Sequence, residues 1–304
     1  MANTRYYEYA LMVEQHGGFK RAAIECGVSQ PALSKGIAAL EKELGGEIFD
    51  RNSRPLVPTV YGQSVIEEAK QILEGQARLK KNVLQLKGVL DYEVRMAFGP
   101  FMWNWKAASI SKAFREQYPS SCLMLQSCAW DVLPQLLHDR KVDLFVGDIS
   151  DEGLEEHFVL IPLPNKELYY ISSPNNPLAG KDLSSHPAEF LQHPFVCCSA
   201  PPWAQRALKK LMPDFDPRET HASIYANDLY FIRDVLLNDP DLATLAPQCC
   251  FQDEIEKGDL VASKFHQDLK THAGIAYNRY GSQLPILQDV VELVKEVVIS
   301  GGDV

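Results

Sequence analysis

Residues 19–44 determine the fold of the N-terminal part of the chain and read FKRAAIECGVSQPALSKGIAALEKEL. Gly27 separates two helical segments, Ser29 is a candidate N-cap, and Pro31 falls in a first turn, where its missing N–H costs nothing. The second segment has an apolar stripe at helical spacing, formed by Leu33, Ile37, Leu40 and Leu44. Two helices joined by a short turn, the second of them longer, are typical of a helix-turn-helix.

The face of the second helix that lies opposite the stripe is polar. It carries short or flexible hydrogen-bonding side chains near the helix start, at Gln30, Ser34 and Lys35. A recognition helix presents such groups to base edges and its free N–H groups to phosphate. We therefore expect DNA binding by this face, and the alternative is that the motif serves protein contacts alone.

A basic turn follows within residues 47–59, where we expect two short strands around Arg51 and Arg54. A wing of this kind contacts the sugar-phosphate backbone or the minor groove. The predicted DNA-binding residues of the helix and the wing are Ser29, Gln30, Pro31, Ser34, Lys35, Arg51, Arg54 and Thr59.

Thr59 is also the predicted N-cap of a long helix. Residues at steps of four and three form a seam along this helix, and Gln76 is its one polar member. The seam consists of Val65, Ala69, Ile72, Gln76, Leu79, Val83 and Leu86. So narrow a seam on a charged helix needs a partner, and a second copy of the chain is the simplest one. A homodimer would place two recognition helices on a partly palindromic target. Packing of the seam on the chain's own body is the alternative.

Composition places the chain among soluble globular proteins of two or three domains. It has 304 residues, 46% apolar and 23% charged, and seven cysteines without a C-x-x-C pair. No run approaches the roughly 18 apolar residues of a membrane helix, and no signal peptide is evident, so we expect a cytoplasmic protein without membrane contact. Residues 1–87 carry 12 basic and 10 acidic side chains, against 18 and 30 in residues 88–304. Only the N-terminal segment is therefore suited to face a polyanion.

From Glu93 onward, apolar strands alternate with single helices. The first strands are predicted at Val94–Phe98, Cys122–Gln126 and Val142–Gly147, and a second cycle of strands and helices follows. This alternation favours an α/β fold with a parallel sheet.

The N-terminal segment resembles the winged helix-turn-helix of LysR-type transcriptional regulators. The residues that match in order and spacing are Phe19, Ala22, Ala23, Val28 to Ser34, Ile37, Leu40, Glu41, Leu44, Gly45, Ile48 to Arg51 and Thr59. Two positions depart from the pattern. Gly18 replaces the usual Ser or Thr cap, and Gly36 interrupts the recognition helix at a cost of about 1 kcal/mol relative to Ala.

The C-terminal segments Ala113–Pro119, Lys141–Leu144 and Glu256–Val261 are similar to the effector domain of the same family. The resemblance implies a periplasmic-binding-protein-like (type II) domain of two α/β lobes that the chain joins by two crossings, near Leu160–Leu163 and Ser263–Gln267. The implied organisation has four parts: a winged helix-turn-helix domain at 1–60, a linker helix at 61–88, a first lobe at 92–161 and 267–299, and a second lobe at 162–266.

Ligands of two-lobed α/β proteins lie at strand C-termini and helix N-termini. The loops there are rich in aromatic residues, and Phe101 stands where the family commonly has Ser or Thr. The predicted effector-binding residues are Pro100, Phe101, Met102, Trp103, Ser127, Cys128, Trp130, Ser199, Pro201, His221 and Asn227. We expect a pocket for an aromatic or otherwise apolar molecule with one acidic group. The alternative is that these rings fill the lobe core or a subunit interface.

Enzyme motifs such as G-x-S-x-G and H-E-x-x-H are absent from the sequence, and no cofactor or metal is expected. The prediction is a DNA-binding transcriptional regulator controlled by a small-molecule effector. The resemblance adds that the homodimer pairs into a tetramer and that RNA polymerase is a further partner. Two alternatives stay open. One is a redox sensor, although the spacing of Cys197-Cys198 and Cys249-Cys250 does not indicate two cysteines that could form a disulfide. The other is an α/β binding protein or enzyme with an N-terminal assembly domain.

Overall fold

The computed structural model describes residues 3–88, 91–150, 153–213, 222–279 and 286–300. The chain divides into two compact units, Met1–Leu90 and Asp91–Val304. Within the described ranges, no helix is both long and apolar enough to cross a membrane.

The N-terminal unit consists of four helices and a two-stranded wing. The elements, in chain order, are α1 (Thr4–His16), α2 (Phe19–Glu25), α3 (Gln30–Leu44), β1 (Phe49–Asp50), β2 (Val57–Pro58) and α4 (Val60–Leu86). β1 and β2 pair antiparallel. Both predicted N-caps are confirmed: Ser29 Oγ accepts from the Ala32 N–H at 3.4 Å, and Thr59 Oγ1 accepts from the Gly62 N–H at 2.9 Å.

The apolar stripe of α3 forms the centre of this unit's core. Leu33, Ile37 and Leu40 are fully buried together with residues of α1, α2 and β1. Leu44, the fourth member of the predicted stripe, is 39% exposed, because it stands in the last turn of α3, just before the left-handed Gly45.

Gly36 has a packing role that the sequence analysis did not assign. A Cβ at this position would lie 2.8 Å from Tyr9 Cδ2 and 2.9 Å from Tyr6 Cδ1, both on α1. The glycine therefore allows α1 and α3 to approach closely, which offsets the intrinsic helix cost of about 1 kcal/mol.

Gly62 brings the first turn of α4 against the strand that precedes the wing. A Cβ there would lie 1.8 Å from the carbonyl oxygen of Ile48, which is a backbone atom that no rotamer change can move away. Thr59 fixes the same approach, because its N–H donates to that carbonyl at 2.9 Å.

We predict that Gly62→Ala lowers the free energy of unfolding of the N-terminal unit by about 1–3 kcal/mol, as expected for overpacking. The matched control is Gly75→Ala in the same helix, where only the Arg78 guanidinium comes near, at 3.6 Å. That variant should gain up to about 1 kcal/mol from helix propensity. Thermal unfolding followed by circular dichroism measures both, and equal effects would contradict the close approach.

The C-terminal unit begins with a five-stranded mixed sheet. Its strands are β3 (Glu93–Phe98), β4 (Cys122–Ser127), β5 (Leu144–Asp148), β6 (Phe158–Pro162) and β12 (Ala273–Asn278), in the spatial order β4-β3-β5-β12-β6. The helices between the first of these strands are α5 (Pro100–Gln117), α6 (Leu133–His138) and α7 (Leu154–His157). The expectation of a parallel sheet holds for β4, β3 and β5. It is wrong for β12, which runs antiparallel to β5 and β6 because it arrives from the other sheet without a helical crossover.

A second sheet has the order β10-β7-β11. Its elements and those around it are β7 (Leu168–Ser172), β8 (Val196–Cys197), α8 (Pro202–Leu211), β9 (Ile224–Tyr225), α9 (Leu229–Asn238), β10 (Ala243–Pro247), α10 (Gln252–Lys257), β11 (Val261–Lys264) and the final α11 (Leu287–Ser300). β10 and β11 both pair antiparallel with β7, so the expectation of a parallel sheet is wrong here as well. β8 and β9 pair parallel in a separate two-stranded sheet.

The two sheets, each with its helices, form two lobes. The chain passes from the first sheet to the second between Pro162 and Leu168, and returns between Lys264 and Ala273. Helix α5 touches both lobes, because Trp105 packs against core residues of the first and second lobes and Phe101 packs against the core of the second.

A hydrogen bond between side chains joins the facing edges of the lobes. The indole Nε1 of Trp203 on α8 donates to Asp148 Oδ2 at the end of β5, at 2.6 Å. The same indole lies 4.5 Å, centroid to centroid, from the ring of His272, which belongs to the returning crossing. A hydrogen bond to a carboxylate stabilises a contact by about 1.5–3 kcal/mol.

We predict that Trp203→Phe loosens α8. Amide hydrogen exchange within Pro202–Leu211 should become about 10- to 100-fold faster, which corresponds to the loss of that hydrogen bond. The control is Trp103→Phe on α5, which makes the same change of ring away from the contact between the lobes. Unchanged exchange in α8 of the Trp203 variant would show that the bond does not hold the lobes together.

Candidate nucleic-acid interface and ligand cavity

The surface of α3 opposite the leucine stripe is open to solvent within the described chain. Gln30, Pro31 and Lys35 are exposed, and Ser34 is half-buried. Ser29 is exposed at the helix start, where its oxygen accepts the capping bond and its hydroxyl hydrogen stays available for an outside acceptor. This surface therefore combines hydrogen-bond donors, one ammonium group and a helix N-terminus.

Glu41 of α3 binds the wing through its carboxylate, a contact that the sequence pattern did not indicate. Its Oε1 accepts from the Ile48 N–H at 3.0 Å, and its Oε2 pairs with Arg51 Nη2 at 2.8 Å. Arg51 stays half-exposed and Arg54 is exposed. The ion pair places the Arg51 guanidinium beside α3.

Thr59 is bound internally on both sides of its hydroxyl group. The oxygen caps α4, and the hydroxyl donates to the carbonyl oxygen of Glu47 at 2.6 Å. The side chain thus has no hydroxyl hydrogen left for a phosphate, and its predicted contact to DNA stays a prediction.

The predicted seam of α4 is divided between the chain itself and solvent. Val65 is half-buried against the N-terminal core and Ala69 is fully buried. The exposed members lie further along the helix and are Ile72, Leu79, Val83 and Leu86. The first turns of the seam therefore pack on the chain itself, which was the alternative to a dimer. The later turns leave a row of apolar side chains exposed.

A cavity of about 300 Å³ lies between the lobes of the C-terminal unit. Seven of the predicted effector-binding residues line it: Pro100, Phe101, Met102, Trp130, Ser199, Pro201 and Asn227. They come from the loops after β3, β4, β8 and β9, as the general position of ligands at strand ends suggests.

Three predicted residues do not line the cavity. Trp103 points away from it, because the helical period separates it from Phe101 and Trp105, and it packs edge-on against Phe98 at 6.0 Å. Ser127 is exposed at the end of the edge strand β4, and Cys128 packs against the core beneath it. His221 lies outside the described residues.

Other residues that line the cavity are not among those predicted above. Trp105 and Trp203 belong to the same aromatic loops and helix starts. Four others stand at the end of β5 or in the two crossings and had no sequence signal: Asp148, Lys166, Thr271 and His272. The crossings carry no motif, and only the tertiary fold brings them to the cavity.

Positive charge is concentrated beside one aromatic wall of the cavity. The Lys106 and Lys166 ammonium nitrogens lie 4.4 and 5.0 Å from the centroid of the Trp105 ring, which is cation–π geometry. Burial, and secondarily the neighbouring Lys166, lower the pKa of Lys106 although the Cys249 side chain opposes the shift. Asp148, which also lines the cavity, accepts the hydrogen bond from Trp203.

Both adjacent cysteine pairs border the same cavity. Their spacing in the sequence did not indicate that the two pairs lie close to one another. Burial raises the pKa of Cys197 to about 11 and that of Cys198 to about 12. Cys249 differs: a hydrogen bond from the Cys250 thiol and the nearby Lys166 and Lys106 ammonium groups lower its pKa, against the effect of burial. The cysteines are free thiols, and among the described residues no group of three or more His, Cys, Asp or Glu side chains is arranged to hold a metal ion.

Trp130 provides an unused donor at the cavity. Its Nε1 is buried and has no hydrogen-bond acceptor among the described residues, while the ring lines the cavity. A buried donor without a partner costs about 1–3 kcal/mol, which an acceptor atom of a ligand would recover.

Comparisons with known sequences identify both units. Residues 4–63 match the bacterial regulatory helix-turn-helix protein, lysR family, and residues 87–298 match the LysR substrate binding domain. The SDS degradation transcriptional activation protein of Pseudomonas sp. is 28% identical over 261 residues, which cover 86% of this chain and 84% of that relative. The RuBisCO operon transcriptional regulator of Allochromatium vinosum is 29% identical over 172 residues, or 56% of this chain and 55% of that relative.

Solved structures share the fold at low sequence identity. Full-length CbnR in complex with its target DNA has a TM-score of 0.65 at 18% identity, covering 97% of this chain and 99% of CbnR. A hydrogen peroxide-bound mutant of Corynebacterium glutamicum OxyR has a TM-score of 0.57 at 18% identity, covering 100% and 97% of the two chains. The chain, with its helix-turn-helix, long helix and two-lobed ligand domain, belongs to the LysR family of DNA-binding transcriptional regulators controlled by effectors.

Proposed function

We propose that this regulator binds a partly palindromic operator as a homodimer and that a small molecule in the lobe cavity alters this binding. The observation that carries the proposal is the solvent-open polar face of α3, opposite the buried Leu33, Ile37 and Leu40. In this reading Gln30, Ser34 and Lys35 contact base edges, with Pro31 beside them. The phosphate contacts are assigned to the helix start and the wing, namely Ser29, Arg51 and Arg54, whereas Thr59, whose hydroxyl donates to the Glu47 carbonyl, would act by holding the wing against the start of α4.

The dimer in this proposal forms through the later turns of α4. Ile72, Leu79, Val83 and Leu86 leave an apolar row exposed on a charged helix, which supports a second copy as the partner. We also propose that two such dimers pair into a tetramer and that the regulator contacts RNA polymerase. The proposed domain boundaries are those of a linker helix at 61–88 and of lobes that meet at 161–162 and 266–267.

We infer that the effector combines an apolar, preferably aromatic, body with an anionic or carbonyl oxygen. Support comes from the aromatic walls at Phe101, Trp105 and Trp203, the unpaired Trp130 N–H and the Lys166 side chain at the cavity. The name of the 28% identical relative refers to SDS, whose alkyl chain and sulfate have the same two features. We infer a regulatory, non-enzymatic role in the cytoplasm, where bacterial DNA is found.

The first test removes single predicted DNA contacts. Arg54→Ala, which removes an exposed wing residue assigned to phosphate, should weaken operator binding and reduce the slope of log affinity against log salt by about one, because one phosphate-neutralising charge is lost. Gln30→Ala should relax preference at one base position by about 1–3 kcal/mol. Fluorescence anisotropy with selected and scrambled duplexes measures both.

Lys112→Ala is the control for the charge change, since Lys112 is exposed on α5 in the other unit. It should leave both the affinity and the slope unchanged. Retention that is independent of salt and of sequence would instead assign the N-terminal unit to protein assembly.

The second test concerns the cavity. Aromatic carboxylates and alkyl sulfates should raise the melting temperature of the full chain, whereas polar sugars should not. Trp130→Phe keeps the ring and removes the unpaired N–H, so we expect about tenfold weaker binding of the best ligand. Trp103→Phe, outside the cavity, should bind as before. Stabilisation by sugars alone would overturn the apolar-effector proposal.

A further inference from the structure

Cys249 stands apart from the other thiols at the lobe cavity. It lies in the turn after β10, is half-buried and lines the cavity, whereas its neighbour Cys250 is buried with its Sγ 3.7 Å from the Phe101 carbonyl oxygen. Both residues border the cavity, but Cys249 keeps part of its surface exposed whereas Cys250 is buried.

Two ammonium groups flank the same wall. Lys106 from α5 and Lys166 from the first crossing both lie over Trp105, and their positive charge acts on the Cys249 sulfur. The thiolate is the reactive form of cysteine, and neighbouring lysines stabilise it.

We propose that Cys249 is a covalent capture site for soft electrophiles of the α,β-unsaturated carbonyl class, with an aryl group held by the cavity walls. The proposal rests on the proposed function only in using the lobe cavity as the place where small molecules bind.

The chemistry is an addition that needs no oxidant. The Cys249 proton passes to water, and the thiolate forms a C–S bond to the β-carbon while the C=C electron pair moves toward the carbonyl as an enolate. Lys166 borders the cavity and offers positive charge to that enolate oxygen. A proton from water then adds to the α-carbon, so the product is a saturated thioether.

The lower pKa of Cys249 separates it from the other cysteines that line the cavity. The pKa values of Cys197 and Cys198 are raised to about 11 and about 12 by burial, and that of Cys250 is raised mainly by its hydrogen bond to Cys249. Among the cysteines that line the cavity, Cys249 alone has its pKa lowered. Each unit of difference in pKa changes the thiolate fraction about tenfold.

The test treats the full-length protein with substoichiometric 4-phenyl-3-buten-2-one at pH 7 and maps the adduct by peptide mass spectrometry. Cys249 should react at least about tenfold faster than Cys197 or Cys198, and also faster than Cys122, which is exposed but lies outside the cavity. N-ethylmaleimide, which has no aryl group, serves as the comparison probe. Equal or slower labelling of Cys249 relative to Cys122 by the aryl probe would overturn the proposal.

Two variants keep the proposal falsifiable if one of them folds poorly. Cys249→Ala should abolish the fast adduct, and Lys166→Gln should slow it several-fold and move the midpoint of its rate–pH profile upward. The matched Lys112→Gln should change neither. An unmoved profile in Lys166→Gln contradicts the assigned role of the ammonium group.

The outcome is separable from that of the proposed function. Sequence-selective DNA binding and reversible ligand stabilisation without a Cys249 adduct would leave the regulator proposal standing and end the covalent one. A fast Cys249 adduct on a protein that fails to select DNA sequence would do the reverse.

Discussion

Burial of Leu33, Ile37 and Leu40 against α1 orients the recognition helix. Because these residues occupy one side of α3, the opposite side with Gln30 and Lys35 is left to solvent. Gly36 lets the rings of Tyr6 and Tyr9 come close enough for this packing, so a residue that weakens the isolated helix strengthens its contact with α1. The exposure of this polar surface is therefore a consequence of core packing and not of the polar residues themselves.

The wing depends on the same helix through Glu41. Its carboxylate accepts from the Ile48 N–H and pairs with Arg51, so the two candidate DNA-contacting elements are coupled by one acidic side chain. An exposed ion pair contributes little stability by itself. Its value here is geometric, since it restricts where the Arg51 guanidinium can lie before any polyanion arrives.

In the C-terminal unit, the sequence pattern predicted only part of the sheet topology. Alternating strands and helices indicated an α/β architecture, and three strands of the first sheet are indeed parallel. The antiparallel β12 and the antiparallel second sheet escaped prediction, because strand direction depends on where the chain crosses between lobes and a crossing leaves no periodic signal. The loop residues after β3 and β8 were predicted correctly, because their position follows from the local order of strand and helix. The prediction for Trp103 was wrong, because the helical period turns its side chain away from the cavity.

The amino-acid sequence alone determined the helix-turn-helix, its N-caps at Ser29 and Thr59, and the family to which the chain belongs, because these depend on short-range spacing. Tertiary structure alone decided that Lys166, His272 and both cysteine pairs border one cavity. Those residues are far apart along the chain, and only the two crossings between the sheets bring them together. The chemistry of the DNA-binding surface is thus written locally, whereas that of the ligand cavity arises from long-range folding.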